Sequence, residues 1–139
     1  MTINWILSAI LAALSFTFMI LIYKKLLLLN INQNILNLFI FGLVFLGFGI
    51  VLVSTKTSIK ITFFMLILLI IAAVFSLLGN YFQVKAVNDA PNPGYAITLQ
   101  STSLILITIL SIFLFKSSFS WVKLVGILVV IFGSYLLSI

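Results

Sequence analysis

The sequence predicts an all-α membrane protein that folds as a bundle of five transmembrane helices. Hydrophobic residues make up 65% of the 139 residues and charged residues only 6%, whereas soluble domains carry about 25% charged residues. The apolar residues lie in five stretches that are each long enough, or nearly so, to cross about 30 Å of hydrocarbon. Because backbone polar groups inside a bilayer must be bonded within their own segment, stretches of these lengths are expected to be helices.

The first three spans are each bounded by polar or basic residues. The first ends at the pair Lys24-Lys25, the second at the polar segment 54–58, and the third at Lys85. A run of asparagine and glutamine between residues 30 and 34 separates the first two spans. The predicted ranges are residues 3–23, 36–53 and 61–84.

The last two spans follow the clearest break in the chain, at residues 88–94. This segment contains Pro91, Pro93 and Gly94, which disfavour a continuous helix. The fourth span is predicted at residues 95–115, closed by Lys116, and the fifth at residues 121–137. Because the connections are short, consecutive helices are expected to be antiparallel neighbours in one domain, residues 1–139.

The lysines indicate a multi-pass protein of the cell membrane with little preference for orientation. Four of them fall on the side of the N-terminus (Lys56, Lys60, Lys116 and Lys123), and three fall on the other side with Asp89 (Lys24, Lys25 and Lys85). Basic loops tend to stay in the cytoplasm, so the count weakly favours a cytoplasmic N-terminus. Either neighbours fix a single orientation, or the chain inserts both ways and forms an antiparallel dimer.

Several chemistries are excluded by composition. The chain has no histidine, cysteine, glutamate or arginine, and Asp89 is its one acidic residue. We therefore expect no metal site, no cofactor, no nucleophile–base pair and no enzymatic activity. The lysines are dispersed between apolar runs, so no nucleic-acid partner is expected.

Polar side chains within the spans are the candidate solute contacts. Asn80 and Gln83 share one face of the third helix with Ser76, at spacings of four and three residues. The fourth span carries Gln100, Ser101 and Thr102. Amides and hydroxyls in hydrocarbon need partners, so these five residues are predicted to line a substrate cavity: Asn80, Gln83, Gln100, Ser101 and Thr102. The alternative is helix–helix bonding, worth about 0.6 kcal/mol each, or bonding of hydroxyls to their own helix.

Glycine pairs seven residues apart indicate grooves for close helix approach. The second span has Gly42 and Gly49, and the fifth has Gly126 and Gly133. Packing within the bundle explains the first pair. For the last helix of an odd-numbered bundle, a dimer interface at Gly126 and Gly133 is an equal alternative.

Residues 73–139 resemble the EamA-type repeat of the drug/metabolite transporter superfamily. The similarity lies in the aromatic stretch and alanine turn at residues 81–87, and in the glycines 126 and 133 around an aliphatic run. Lys116 replaces a glutamate, and Ser103 a proline, that are usual in the family. Most members carry two such repeats, so the resemblance implies a half-size transporter that pairs with itself or with a sister chain. In related small multidrug transporters, the glycine pattern lies at the dimer contact.

The expected function is a transporter subunit that moves a small neutral, zwitterionic or lipid-like solute, acting as a dimer. A cavity without fixed negative charge suits such solutes better than a free cation. Two alternatives stay open from the sequence: a non-transporting membrane subunit of a larger complex, and a lipid-linked sugar flippase subunit.

Overall fold

The all-α prediction is confirmed by a computed structural model, which describes residues 4–118 and 120–136. Within these ranges the secondary structure is helical and contains no strand. Four apolar stretches are long enough to cross a membrane: Ile6–Leu28, Gln33–Ser54, Phe63–Asp89 and Pro93–Phe115. A shorter apolar helix, Leu124–Leu136, accounts for the fifth predicted span. The helices are α1 (Trp5–Leu28), α2 (Gln33–Ser54), α3 (Phe63–Asp89), α4 (Pro93–Gln100), α5 (Ser103–Phe115) and α6 (Trp121–Leu136).

The first helix continues past the lysine pair where the sequence predicted its end. α1 reaches Leu28 because lysine is a good helix former, and its long stem lets the charge reach water from within a helix. It ends when Asn30 adopts a left-handed conformation, φ 62°. The Asn30 N–H donates to Leu27 O at 2.9 Å and the Ile31 N–H to Leu26 O at 3.3 Å, which is a Schellman cap.

The second and third helices are also longer than predicted. α2 begins at Gln33, where the Asn32 side chain accepts from the Asn34 N–H at 2.8 Å as an N-cap. α3 extends to Asp89, beyond the predicted end at Lys85. The predicted ends of the chain's spans at Ile3 and Leu137 lie outside the described residues.

The fourth span is interrupted, which differs from the single helix that was predicted. α4 ends at Gln100 and α5 begins at Ser103. Between them, Ser101 (φ −62°, ψ −13°) and Thr102 (φ −57°, ψ −24°) have the dihedrals of a 3₁₀ turn. Residues 98–105, which we call the 3₁₀ turn, contain four backbone hydrogen bonds that span three residues instead of four.

The chain divides into two compact units, Met1–Asn88 and Asp89–Ile139. In the first unit, the buried apolar side chains lie where α1 and α3 end and α2 begins: Ile20, Tyr23, Leu27, Leu36, Val84 and Val87. In the second unit, α6 packs against α4 and α5. Large side chains elsewhere are exposed, such as Phe45 at 75% and Phe63 at 78%, as expected for helices solvated by lipid. The prediction of a single domain over residues 1–139 stays a prediction.

Candidate functional site

The 3₁₀ turn lies close to the middle of the fourth span. The span runs from Pro93 to Phe115, so Ser101 and Thr102 lie two to three residues from its midpoint at residue 104. A local 3₁₀ adjustment inside a membrane helix keeps its backbone groups bonded. The turn marks the place in the described part of the fourth span where the regular α-helical bonding changes.

The backbone carbonyls of the turn are satisfied in an unusual way. Thr98 O accepts from the Ser101 N–H at 3.0 Å, and Leu99 O from the Thr102 N–H at 3.2 Å. Hydroxyls supply further bonds, from Thr102 Oγ1 to Leu99 O at 2.9 Å and from Ser101 Oγ to Ile97 O at 3.4 Å. Serine and threonine hydroxyls thus compete with the α-helical ladder at this point.

Three of the predicted cavity residues fall in this turn. Gln100 is exposed at the end of α4, Ser101 is half-buried, and Thr102 is exposed. The hydroxyls of Ser101 and Thr102 donate to carbonyls of their own segment. Their oxygen lone pairs remain acceptors for an outside donor.

The other two predicted residues lie on α3 in the first unit. The Asn80 amide nitrogen donates to Ser76 O at 2.8 Å and lies 3.4 Å from Ser76 Oγ. This is bonding within α3, and no described residue donates to Asn80 Oδ1. The side-chain oxygen of Asn80 is therefore an available acceptor. Gln83, one turn further, is half-buried.

Three polar residues of structural importance were not singled out by the sequence analysis. Ser134 on α6 is only 1% exposed, and its hydroxyl oxygen lies 2.9 Å from Thr98 O and 2.8 Å from Val130 O, either of which can accept its proton. Asn37 on α2 has a buried side-chain oxygen that accepts no hydrogen bond among the described residues. Lys24 on α1, which was predicted only to mark the end of the first span, contacts the end of α3 at Val87 O and Asn88 O.

A second polar contact reinforces this end of the first unit. Gln33, the first residue of α2, donates from its side-chain nitrogen to Tyr81 O at 2.9 Å. Together with Lys24, it ties α1 and α2 to the last turns of α3. The polar side chains here hold helix ends together, whereas those of the 3₁₀ turn interrupt a helix.

The helical glycines are not used for close packing within the described structure. A Cβ placed on Gly42, Gly49, Gly126 or Gly133 would meet no atom of the described structure within 4 Å. Packing inside the bundle was the expected explanation for Gly42 and Gly49, and the described structure provides no such contact. These glycines are open to lipid or to another chain.

The five side chains predicted to contact a solute are hydrogen-bonding groups without charge. Among the described residues, no cluster of histidine, cysteine, aspartate or glutamate could hold a metal ion. Asn80, Gln100 and Thr102 offer amide and hydroxyl groups, which can bind hydroxyl, amide or zwitterionic groups of a solute. Asp89 is the last residue of α3.

Comparison with known proteins gives a family for this fold. No curated protein and no solved structure matches the chain. The model of the EamA-like transporter family matches residues 3–139, nearly the whole sequence. The four long apolar helices and the shorter fifth agree with that match. The chain belongs to the EamA-like transporter family.

Proposed function

We propose that this chain is a transporter subunit of the cell membrane that moves a small neutral, zwitterionic or lipid-like solute. The observation that carries the proposal is the 3₁₀ turn near the middle of the fourth span. Interrupted helices near the bilayer midplane form the solute sites of many secondary transporters. Here the interruption presents Gln100, Ser101 and Thr102, which carry no charge.

Within the first unit, Asn80 and Gln83 are a separate pair of candidate solute contacts. Asn80 supports this role because its amide nitrogen is already bonded within α3, which leaves Oδ1 to accept from a solute. The five side chains then offer amide and hydroxyl groups but no carboxylate. A free cation would have to leave water without a counter-charge, which is costly.

The solute class can be tested with purified protein in liposomes. Uptake is measured for three labelled probes: a neutral hexose, a mixture of neutral amino acids, and tetraphenylphosphonium as a lipophilic cation. We expect uptake of an uncharged or zwitterionic probe above that of empty liposomes. Uptake of the cation alone would contradict the proposal. If no probe is taken up, and the protein is isolated from membranes only in a complex with a larger protein, the alternative of a non-transporting subunit is favoured.

We further propose that the working unit is a dimer that uses Gly126 and Gly133 of α6. Both glycines leave room for a Cβ that meets no described atom, and glycines in transmembrane helices permit close helix contact. The variant Gly126→Leu/Gly133→Leu should shift the protein from dimer to monomer in detergent, measured by light scattering. Gly79→Leu on α3 is the matched control and should leave the dimer intact.

A further inference from the structure

The hydroxyl of Ser134 has one proton and two acceptors within reach. Its oxygen lies 2.9 Å from Thr98 O on α4 and 2.8 Å from Val130 O on its own helix. A serine hydroxyl donates one proton, so a full hydrogen bond to one carbonyl weakens the bond to the other. We propose that Ser134 is a latch: it holds α4 to α6 when it donates to Thr98 O and releases α4 when it donates to Val130 O.

Neither position of the latch leaves a buried carbonyl unpaired. Thr98 O also accepts from the Ser101 N–H at 3.0 Å, and Val130 O is the acceptor expected for the Ser134 N–H within α6. A position that left one carbonyl without a donor would be disfavoured, and the hydroxyl would then stay in the other position. Because both acceptors keep a donor, the two positions are close in free energy, as a switch requires.

The latch acts on the residue where the helical bonding changes. In a regular α-helix, Thr98 O would accept from the Thr102 N–H, but that N–H donates to Leu99 O at 3.2 Å. A hydroxyl donor from α6 occupies Thr98 O and so favours the 3₁₀ arrangement. Its departure lets Thr98 O accept from Thr102 and lets the fourth span become continuous. The latch stands independently of the solute proposed above.

The two carbonyls can be observed separately because each precedes a unique neighbour in the sequence. Thr98-Leu99 is the only Thr-Leu pair and Val130-Ile131 the only Val-Ile pair in the chain. Two separately labelled samples therefore give one solid-state NMR signal each: ¹³C-carbonyl threonine with ¹⁵N-leucine reports Thr98, and ¹³C-carbonyl valine with ¹⁵N-isoleucine reports Val130. The protein is placed in phosphatidylethanolamine/phosphatidylglycerol bilayers.

We expect Ser134→Ala to shift both carbonyl signals upfield, since both lose a donor. In the wild-type protein, a temperature series should move the two signals in opposite directions as the proton redistributes, and this opposition should vanish in Ser134→Ala. Ser111→Ala, which removes a half-buried hydroxyl from α5, should change neither signal. A Thr98 signal that is unaffected by Ser134→Ala, or two signals that move alike in wild type, would overturn the latch.

A second variant keeps the test decisive if Ser134→Ala does not fold. Ser134→Cys retains a weaker donor of similar size. It should shift the Thr98 signal in the same upfield direction by a smaller amount. A Thr98 signal identical to that of the wild type would count against the latch.

Discussion

The ammonium group of Lys24 lies 3.0 Å from the carbonyl oxygen of Val87 and 2.9 Å from that of Asn88. The last four carbonyls of a helix have no donor within the helix, and they form the negative end of its dipole. Lys24 on α1 therefore supplies both hydrogen bonds and charge to the end of α3. Lys24, which the sequence predicted to mark the end of the first span, connects two helices.

Replacement of Lys24 by methionine should destabilise the first unit. The variant keeps the long stem but removes a donor to two carbonyls, and a hydrogen bond to a charged group contributes about 1.5–3 kcal/mol. Lys25→Met is the matched control, because Lys25 is exposed and carries the same charge. Thermal unfolding in detergent should show a clearly lower unfolding temperature for Lys24→Met and little change for Lys25→Met. Equal effects of the two variants would show that the stability depends on the positive charge and not on the contact with α3.

Replacement of Asn37 by leucine should stabilise the protein. The buried Asn37 oxygen has no donor among the described residues, and such a group costs about 1–3 kcal/mol. The comparison is Gln33→Leu, which loses the bond to Tyr81 O and should be destabilising. Chemical denaturation of both variants and of the wild-type protein measures the free energies of unfolding. A destabilising Asn37→Leu would mean that Asn37 has a partner supplied by another chain or by a solute.

Two lysines occupy a backbone conformation that favours glycine. Lys56 has φ 50° and Lys116 has φ 51°, both in the left-handed region, where a side chain costs about 1 kcal/mol. Lys56→Gly and Lys116→Gly should each raise the free energy of unfolding by about 1 kcal/mol. Asn30→Gly should change it less, since asparagine tolerates this region. A loss of stability in both lysine variants would refute the left-handed caps.

A proline at position 103 should cost less stability than a proline inside α5, although it disfavours the αR conformation of Thr102 (φ −57°, ψ −24°). Ser103 is the first residue of α5, and its N–H has no acceptor among the described residues. Proline is favoured at the first position of a helix. Ile107→Pro, within α5, should cost about 3 kcal/mol. Thermal unfolding in detergent compares the stability of Ser103→Pro and Ile107→Pro. Similar losses of stability in both variants would mean that the fourth span is a continuous helix at Ser103.

The five spans were predictable because hydrocarbon imposes a length and a composition on any helix that crosses it. The helix ends were harder to predict. Lys24 and Lys25 were taken as the end of the first span, but lysine can continue a helix at an interface. The cap that ends α1 depends on Asn30, whose left-handed conformation is not visible in hydropathy.

The sequence singled out three residues of the 3₁₀ turn but not the geometry of the turn. Gln100, Ser101 and Thr102 stood out as polar atoms in an apolar span, yet the 3₁₀ turn there contains neither proline nor glycine to signal a break. The contact of Ser134 with Thr98 depends on which helices are neighbours, and that is not encoded in local spacing. Asn37 lies one turn after Gln33 and Asn34, so in the sequence it only continues the polar run at the start of α2 and gives no sign that its oxygen is buried.

If the 3₁₀ turn of the fourth span binds the transported solute, as proposed, the KM for the best probe of the liposome panel depends on Gln100 and Thr102. The measurement compares Gln100→Leu and Thr102→Val with the wild-type protein. Thr17→Val is the matched control, because Thr17 Oγ1 also bonds its own helix, at Ala13 O, 2.8 Å away. We predict that KM rises roughly tenfold in the two turn variants, equivalent to about 1.4 kcal/mol for a lost hydrogen bond, and stays unchanged in Thr17→Val. Wild-type KM and kcat in both turn variants would contradict the account.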